Sequence, residues 1–516
     1  MLNNWEKYVE KFNQNDEEII AWMVPDDQAA EWIRREAPYF ECPDHTMEEA
    51  YYFRWWVFRK HIKQTEEGRI ITEFLPKVSW AGAYNSINCA NGHHLAEARW
   101  MKNDRGLAWE YVNFWLRGSG NEYSYSSWIA AAVYELAVAR GDKALAAEYL
   151  DDIVRFYETV EDRQFTEYGL FWSDDDRDAM ERSISGKGLR PTLNSYMYAN
   201  AIAIAHISGW AGRPELQRKY QEKADSLREK ILSLLWDSRD QFFKVIPMEE
   251  KNARLISLDF SEIPKEHNVR EEIGYIPWGM GILENDCDGA WKYLMDSHYF
   301  KTPYGPATAE RNHPYFMKPA SDHECLWNGP VWPFATTQTL NSMICLLQNG
   351  SSNYINRADF MELLEAYARS HRRMREDGKT VNWLDENIDP DTGGWLSRKI
   401  LKGWNWREDK GGYERGKDYN HSAFCDLVIR GICGVQITEG NELIIEPLLL
   451  NGAWDYFMLE GLPYHGHSIT IAYDKDGSRY GKGTGLWIAA DGKMKASADR
   501  IKRLAVKLDE TENGIK

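Results

Sequence analysis

Four aspartates, Asp174, Asp175, Asp176 and Asp178, crowd five positions beside Trp172. Carboxyls held together against an aromatic surface raise one another's pKa. A carboxylic acid kept protonated near neutral pH can hand a proton to a leaving group. Such a cluster makes a poor element interior and a good loop. Gly186, Gly188 and Pro191 punctuate the residues after it, and an apolar helix is expected to start behind Asn194 or Ser195, either of which can cap it. Taken alone, the run reads equally as a solvated acidic turn or a calcium loop, although no EF-hand spacing is present.

Other loops carry chemistry of the same kind. Pro76 and Gly82 mark a loop around Trp80 and Tyr84, and the helix expected from about Asn85 to Met101 opens with His93 and His94. A Pro- and Gly-rich stretch ends in WNGPVWPF, and a long polar segment, 378–420, holds NWLDENIDPDTGGW and GWNWREDKGGYERGKDYN. Loops of this length in a compact chain are functional or disordered, and their Trp content argues against disorder.

The elements that must hold these loops are helical. Residues 15–65 read as two helices, the second running from Met47 to Thr65 with an acidic start and a basic end that suit the helix dipole. Apolar periodicity of helical type continues through 106–164, 193–207, 214–236, 271–296, 331–348, 355–376 and 421–431. Helices alternate with short turns and longer loops, and no strands alternate with them. A parallel α/β sheet is therefore not expected, and a mainly α (α/α)6 toroid over residues 1–433 is expected, its pocket where the long loops gather. After Gly434, β-branched residues, short alternations and the turns DKDG and ADGK predict a small β-rich appendage over 434–516.

Composition narrows the partners. A net charge of -18 disfavours nucleic acid and anionic membranes, both of which want a basic face. The 23 Trp and 28 Tyr offer flat apolar faces with polar tips, which match the C–H faces and hydroxyl rims of sugars, so a carbohydrate substrate is expected. Seven scattered Cys without a CxxC pair suit reduced thiols in a cytoplasmic protein. The N-terminus has no basic and apolar regions of a signal peptide, no run spans a membrane, and no spacing points to a metal or another cofactor.

The Asp-rich loop, the WNGPVWPF segment and the DENIDPDTGGW loop occur here in an order that resembles the inverting glycoside hydrolases of the (α/α)6-barrel kind. The likeness is to the mannosylglycerate hydrolase-like and GH63 group, with trehalase more distant, and it covers most of residues 50–433. In that group the general acid is an Asp followed four positions later by Arg, ahead of a helix with an LN segment. The resemblance therefore implies Asp178 as the acid, ahead of Asp176, Asp174 and Asp175, with Arg182 to orient it. Its general base lies in E-x-x-x-P-x-T-G, which Glu386 to Gly393 match position by position. Trp327–Trp332 resembles the substrate loop W-x-G-P-x-W, with Asn328 where Arg is common. Tyr84–Asn85–Ser86 stands where the group often has W-D-S. The resemblance and the side-chain chemistry together imply a pocket of Trp80, Tyr84, Asn85, Trp172, Trp327, Asn328, Trp395 and His421.

Inversion needs one protonated carboxyl at the leaving oxygen and one ionised carboxylate activating water on the opposite face, about 6.5–9.5 Å away. The expected activity is an exo-acting, inverting glycosidase. Two other readings stay open: an epimerase or isomerase using a pair among His93, His94, His323 and His421, and a non-catalytic carbohydrate-binding protein.

Overall fold

The computed structural model describes residues 4–18, 20–283, 286–413 and 415–509. Mainly helical structure extends to residue 432 and a sheet region comes after it.

The helix Pro191–Trp210 is apolar on nearly every side and correspondingly buried. A helix hydrophobic all round must sit among other elements, and this one packs on Ile129–Arg140, Pro214–Lys230, Leu150–Gln164 and Ile276–Gly279. Six segments pack in a closed cycle: Asn91–Ala98 on Ile129–Arg140, then Pro191–Trp210, Ile276–Gly279, Pro333–Asn349 and Phe424–Leu427, which returns to Asn91–Ala98. Further helices lie against members of this cycle, among them His45–Lys60, Gly106–Leu116 and Arg357–Ser370.

Several boundaries differ from expectation for local reasons. The helix before the first pocket loop is His45–Lys60, capped by the Asp44 carboxylate, which accepts from the Thr46 and Met47 N–H groups at 2.9 and 3.1 Å. It stops short of Thr65 because Ile62–Thr65 pairs with Gly68–Ile71 as a hairpin. The helix expected from Asn85 begins only at Asn91, since Tyr84 and Asn85 hold φ of 56° and 69°, left-handed values that no α-helix accepts. Neither Asn194 nor Ser195 caps its helix. Pro191 starts it, its φ already suited to the first turn. The Asn194 amide instead pairs with the Phe171 backbone, accepting from its N–H at 2.8 Å and donating to its carbonyl at 2.9 Å.

The C-terminal strands form a five-stranded antiparallel sheet and a three-stranded one. The larger sheet takes its edge strand, Tyr39–Glu41, from the N-terminal part of the chain, so the sheet is not confined to residues 434–516. Asp491–Gly492 joins two strands directly, with φ of 49° and 74°, the left-handed pair that a two-residue hairpin turn requires. The DKDG run closes no tight turn; it opens a longer connection in which the Asp474 carboxylate accepts the N–H groups of Gly477, Arg479 and Tyr480. Among the described residues no helix is long and apolar enough to cross a membrane.

Candidate active site

Six loops build one pocket of about 710 Å³, within the ~300–1,000 Å³ usual for small-molecule sites. Five lie around residues 73–89, 121–125, 174–181, 323–332 and 410–421 and each runs on into a helix of the closed cycle, and the sixth carries Glu386. The packed helices thus fix the loop ends, while the loops carry the chemistry.

Glu386 lines this pocket and is buried. Its Oε1 accepts from Arg415 Nη2 at 2.6 Å and from the Cys325 thiol at 3.6 Å, while Oε2 is buried without a protein partner. The loop behind it is tightly held. Ile388 and Val331 exchange backbone hydrogen bonds of 2.8 and 2.9 Å, and the Asn387 side chain accepts from the Ser397 N–H and hydroxyl. Arg415 also donates to Glu324, and its guanidinium lies 4.8 Å from the Trp80 ring centre. It is positioned by the next residue. Gly416 has φ of +77°, and a Cβ there would meet Asp385 Oδ1 at 2.0 Å, so only glycine lets the chain pass.

The second pocket carboxyl is Glu181. Burial pushes its pKa up to about 8, with the negative charges of Asp176 and Glu386 adding and Arg415 opposing. At pH 7 it is therefore largely protonated. Its backbone is pinned by Trp327 N–H on the Glu181 carbonyl at 3.0 Å. Glu73 forms another part of the wall, pushed up to about 7 by burial. Both its oxygens are taken, by the Tyr419 hydroxyl at 2.7 Å and the Cys89 thiol at 3.2 Å. Each Glu73 oxygen thus has a donor in place, whereas no side chain among the described residues donates to Glu181.

Of the residues expected in the pocket, Trp80, Glu386 and His421 line it. Asp178 does not. Its carboxylate is fully buried against Arg190, with Arg190 Nε donating to Oδ2 at 2.6 Å and the Ser126 and Ser173 hydroxyls donating to Oδ1 at 2.6 and 3.2 Å. Ala179 and Arg182 have φ of 57° and 64°, so the chain turns twice within the loop. Asp178 ends up inside, and the pocket receives Asp176 and Glu181 instead. Arg182, expected to orient the acid, is exposed and paired with Asp322. Asp174 also lines the pocket and Asp175 does not.

The remaining expected residues hold the scaffold. Asn85 is saturated, donating to the carbonyls of Phe74 and Pro76 at 3.1 and 2.9 Å and accepting from Val78 N–H at 3.0 Å. It thereby folds the loop that presents Trp80. Tyr84 packs on Phe114 away from the cavity. Trp172 donates to the Met248 carbonyl at 2.9 Å and provides no wall for an acid. Trp327 stacks at 4.5 Å on Trp332, and it is Trp332 that faces the pocket. Asn328 ties down the Lys318 carbonyl at 2.7 Å, and Trp395 donates to Arg372 O and lines a different cavity. The residues that sequence reasoning missed include Glu73, Tyr125, Glu181, Arg415 and Tyr419. Arg415 and Tyr419 lie within the long polar segment already marked by its length. Nothing in the spacing distinguished them from neighbouring charges and aromatics.

The imidazoles divide as well. His93 packs edge-on against Trp128 and Phe334, and His94 is committed to Tyr111 and the Asn420 carbonyl, so neither reaches the cavity. His323 and His421 do. Burial drives His421 well below its ordinary pKa, leaving it neutral. Its Nε2 lies 3.5 Å from Cys89 Sγ and 3.6 Å from Glu73 Oε1. Glu73, Cys89 and His421 bring ligand atoms within 4.8 Å of one another and could hold a metal, a grouping invisible in spacings of 16 and 332 residues. The donor set fits one incompletely. His421 Nδ1 is buried with no hydrogen-bond partner, whereas a ligating imidazole ordinarily fixes its other nitrogen on an acceptor.

A model of the mannosylglycerate hydrolase MGH1-like glycoside hydrolase domain matches residues 83–422. A solved structure called a sialidase is 36% identical, with a TM-score of 0.87, over 99% of this chain and 45% of its own. The GH63 mannosylglycerate hydrolase from Thermus thermophilus, in complex with Tris and D-glycerate, is 12% identical with a TM-score of 0.50, over 74% of this chain and 100% of that one. An uncharacterized protein of Borreliella burgdorferi is 26% identical over 153 residues, 28% of this chain and 32% of the other. The chain thus spans less than half of the sialidase and about a third of the Borreliella protein.

Proposed function

Since this chain belongs to the mannosylglycerate hydrolase MGH1-like glycoside hydrolase family and is a glycosidase, we propose that it releases a terminal sugar with inversion, Glu181 acting as general acid and Glu386 as general base. The observation that carries this reading is the unequal pair in one pocket. Glu181 keeps its proton near neutral pH, while Glu386 faces a guanidinium and retains an unpartnered Oε2. A carboxyl that keeps its proton, beside one whose second oxygen has no partner, suits the two roles. Glu181 protonates the glycosidic oxygen as the bond to the anomeric carbon breaks. Glu386 Oε2 takes a proton from the water that attacks the opposite face. Arg415 holds the base in place by donating to its Oε1, and Trp80 and Trp332 offer aromatic faces to the sugar.

The closed cycle of helices supports the (α/α)6 toroid, with loops gathered at one end. A cavity of about 710 Å³ suits the end of an oligosaccharide or a small glycoside, which supports exo action. Proton NMR of the first product formed tests the reading. The released sugar is expected with the anomeric configuration opposite to that of the substrate, and a retained configuration would overturn the single-displacement mechanism.

The acid assignment has a stability signature. Glu181 is raised from about 4.5 in the unfolded chain to about 8 in the folded one, so the folded state binds the proton more tightly. Its contribution is complete below about pH 4.5 and is lost as pH rises through about 8. Glu181→Gln, which cannot ionise, is expected to melt higher than wild type at pH 9 and close to it at pH 5. Thermal denaturation at the two pH values checks this, and equal shifts would remove the proposed protonation.

A further inference from the structure

A second cavity, of about 860 Å³, lies on the far side of the loop that carries Glu386. Gly393, Gly394 and Trp395, which end that loop, form part of its wall, and the helix Leu396–Gly403 supplies more. Seven of its lining residues are Arg or Lys and one, Glu376, is acidic. In a chain of net charge -18 such a concentration is against the overall field.

Several of these cations are neutralised from outside the cavity: Arg372 by Glu49 at 3.2 Å and Arg375 by Asp377 at 3.4 Å. Two of them, Arg373 and Arg398, keep a donor atom without a partner. The Arg373 guanidinium lies 3.9 Å from the centre of the Trp383 ring, with its Nε buried and unpartnered. Arg398, only 6% exposed, donates through Nη1 to the Tyr413 carbonyl at 3.2 Å and has Nη2 buried and unpartnered. The one acid near it, Asp385, stands 3.8 Å away and is already accepting from Glu386 N–H and Trp383 Nε1. Burial, with repulsion from Arg398 adding, pulls Arg373 below its ordinary pKa. A half-buried and a buried guanidinium near one Trp ring, each with a donor to spare, are relieved by an anion bound beside them. The Arg398 guanidinium lies 5.0 Å from Trp406 and 4.7 Å from Tyr413, whose rings stand edge to face and give the cavity an aromatic side.

We propose that this cavity binds an anionic carbohydrate, a sugar bearing a carboxylate or a sulfate ester, with the charge on Arg373 and Arg398 and the ring face on Trp406 and Tyr413. Planar guanidinium forks fit either oxyanion, and the rings select a sugar over a bare ion. The site is separate from the catalytic pocket and stands without the proposed reaction. An oligosaccharide seated here would be held against the loop that bears the base.

Isothermal titration at low salt with trigalacturonate, its trimethyl ester, maltotriose and a sulfated disaccharide tests the proposal. Trigalacturonate, the sulfated sugar or both are expected to bind, the tighter of the two identifying the anion, with the ester and maltotriose at least tenfold weaker. Arg373→Gln and the surface variant Lys399→Gln are each expected to weaken binding about tenfold or more, and Lys399→Gln leaves the packing untouched. Glu181→Gln, in the other pocket, is expected to leave the affinity unchanged. Equal binding of the neutral sugars, no binding of either charged one, or a loss caused by Glu181→Gln in place of Arg373→Gln would overturn the site. Equally tight binding of an oligothymidylate would show a general polyanion surface and overturn the carbohydrate assignment.

Discussion

Glu386→Gln is expected to lower turnover by about 10²–10⁴-fold, the range that a positioned acid or base supplies, while the protein stays folded. Arg415 keeps Glu324 as its partner, so the amide does not strand a buried charge. Glu181→Gln is expected to cost a similar factor, but only where the leaving group needs a proton. On alkyl glycosides the loss should be full. On glycosyl fluorides or dinitrophenyl glycosides, whose leaving groups depart as stable anions, it should shrink by tenfold or more. Glu386→Gln should be equally slow on both, since every leaving group still needs the water activated. The pH profile carries the same information. Turnover by the wild type should fall above about pH 8 as Glu181 loses its proton, and this limb should vanish in Glu181→Gln. Steady-state kinetics on the two substrate classes across pH 5–10 checks all of this. A leaving-group effect that tracks Asp176→Asn in place of Glu181→Gln would move the acid to Asp176, an exposed carboxyl of that loop that also lines the pocket.

The second large effect concerns stability. Asp178 and Arg190 are both removed from water, and each is the other's principal charge partner. Breaking such a pair from one side leaves an uncompensated buried charge and costs about 3–5 kcal/mol. Arg190→Met is expected to lose stability in that range by urea denaturation. It also releases contacts of Arg190 with the Gly186 carbonyl and the Ser183 hydroxyl that hold the loop together. Asp178→Asn keeps the shape and is expected to cost less than Arg190→Met, with the folded fraction turning over on the wild-type pH profile. An Asp178→Asn protein that melts like wild type yet has lost turnover and its alkaline limb would return the acid role to Asp178.

The contrast between Asp178 and Glu181 shows how far spacing reaches. A four-residue interval to Arg182 is a one-dimensional pattern, and it names a loop correctly as a place where carboxyls gather. Which carboxyl faces the cavity depends on backbone direction, and in a loop without periodicity nothing local encodes it. Here the left-handed residues Ala179 and Arg182 and the distant partners Ser126, Arg190 and Trp327 decide. Asn85 is similar. Its neighbours marked a pocket rim, and the structure uses it to fold that rim, leaving the cavity to Trp80.

By itself the sequence determined the helical character, the strand-rich C-terminal stretch, the sugar-suited aromatic content and most of the loops that build the pocket. Each depends on composition or on short-range period, which a chain displays before it folds. Only the tertiary structure decided that Glu181 and Glu386 share a cavity, that Arg415 donates to Glu386 and that Asp178 is buried against Arg190. It also decided that residues 39–41 complete the C-terminal sheet. Those are relations between residues tens to hundreds of positions apart. Packing and desolvation create them, and no spacing along the chain records them.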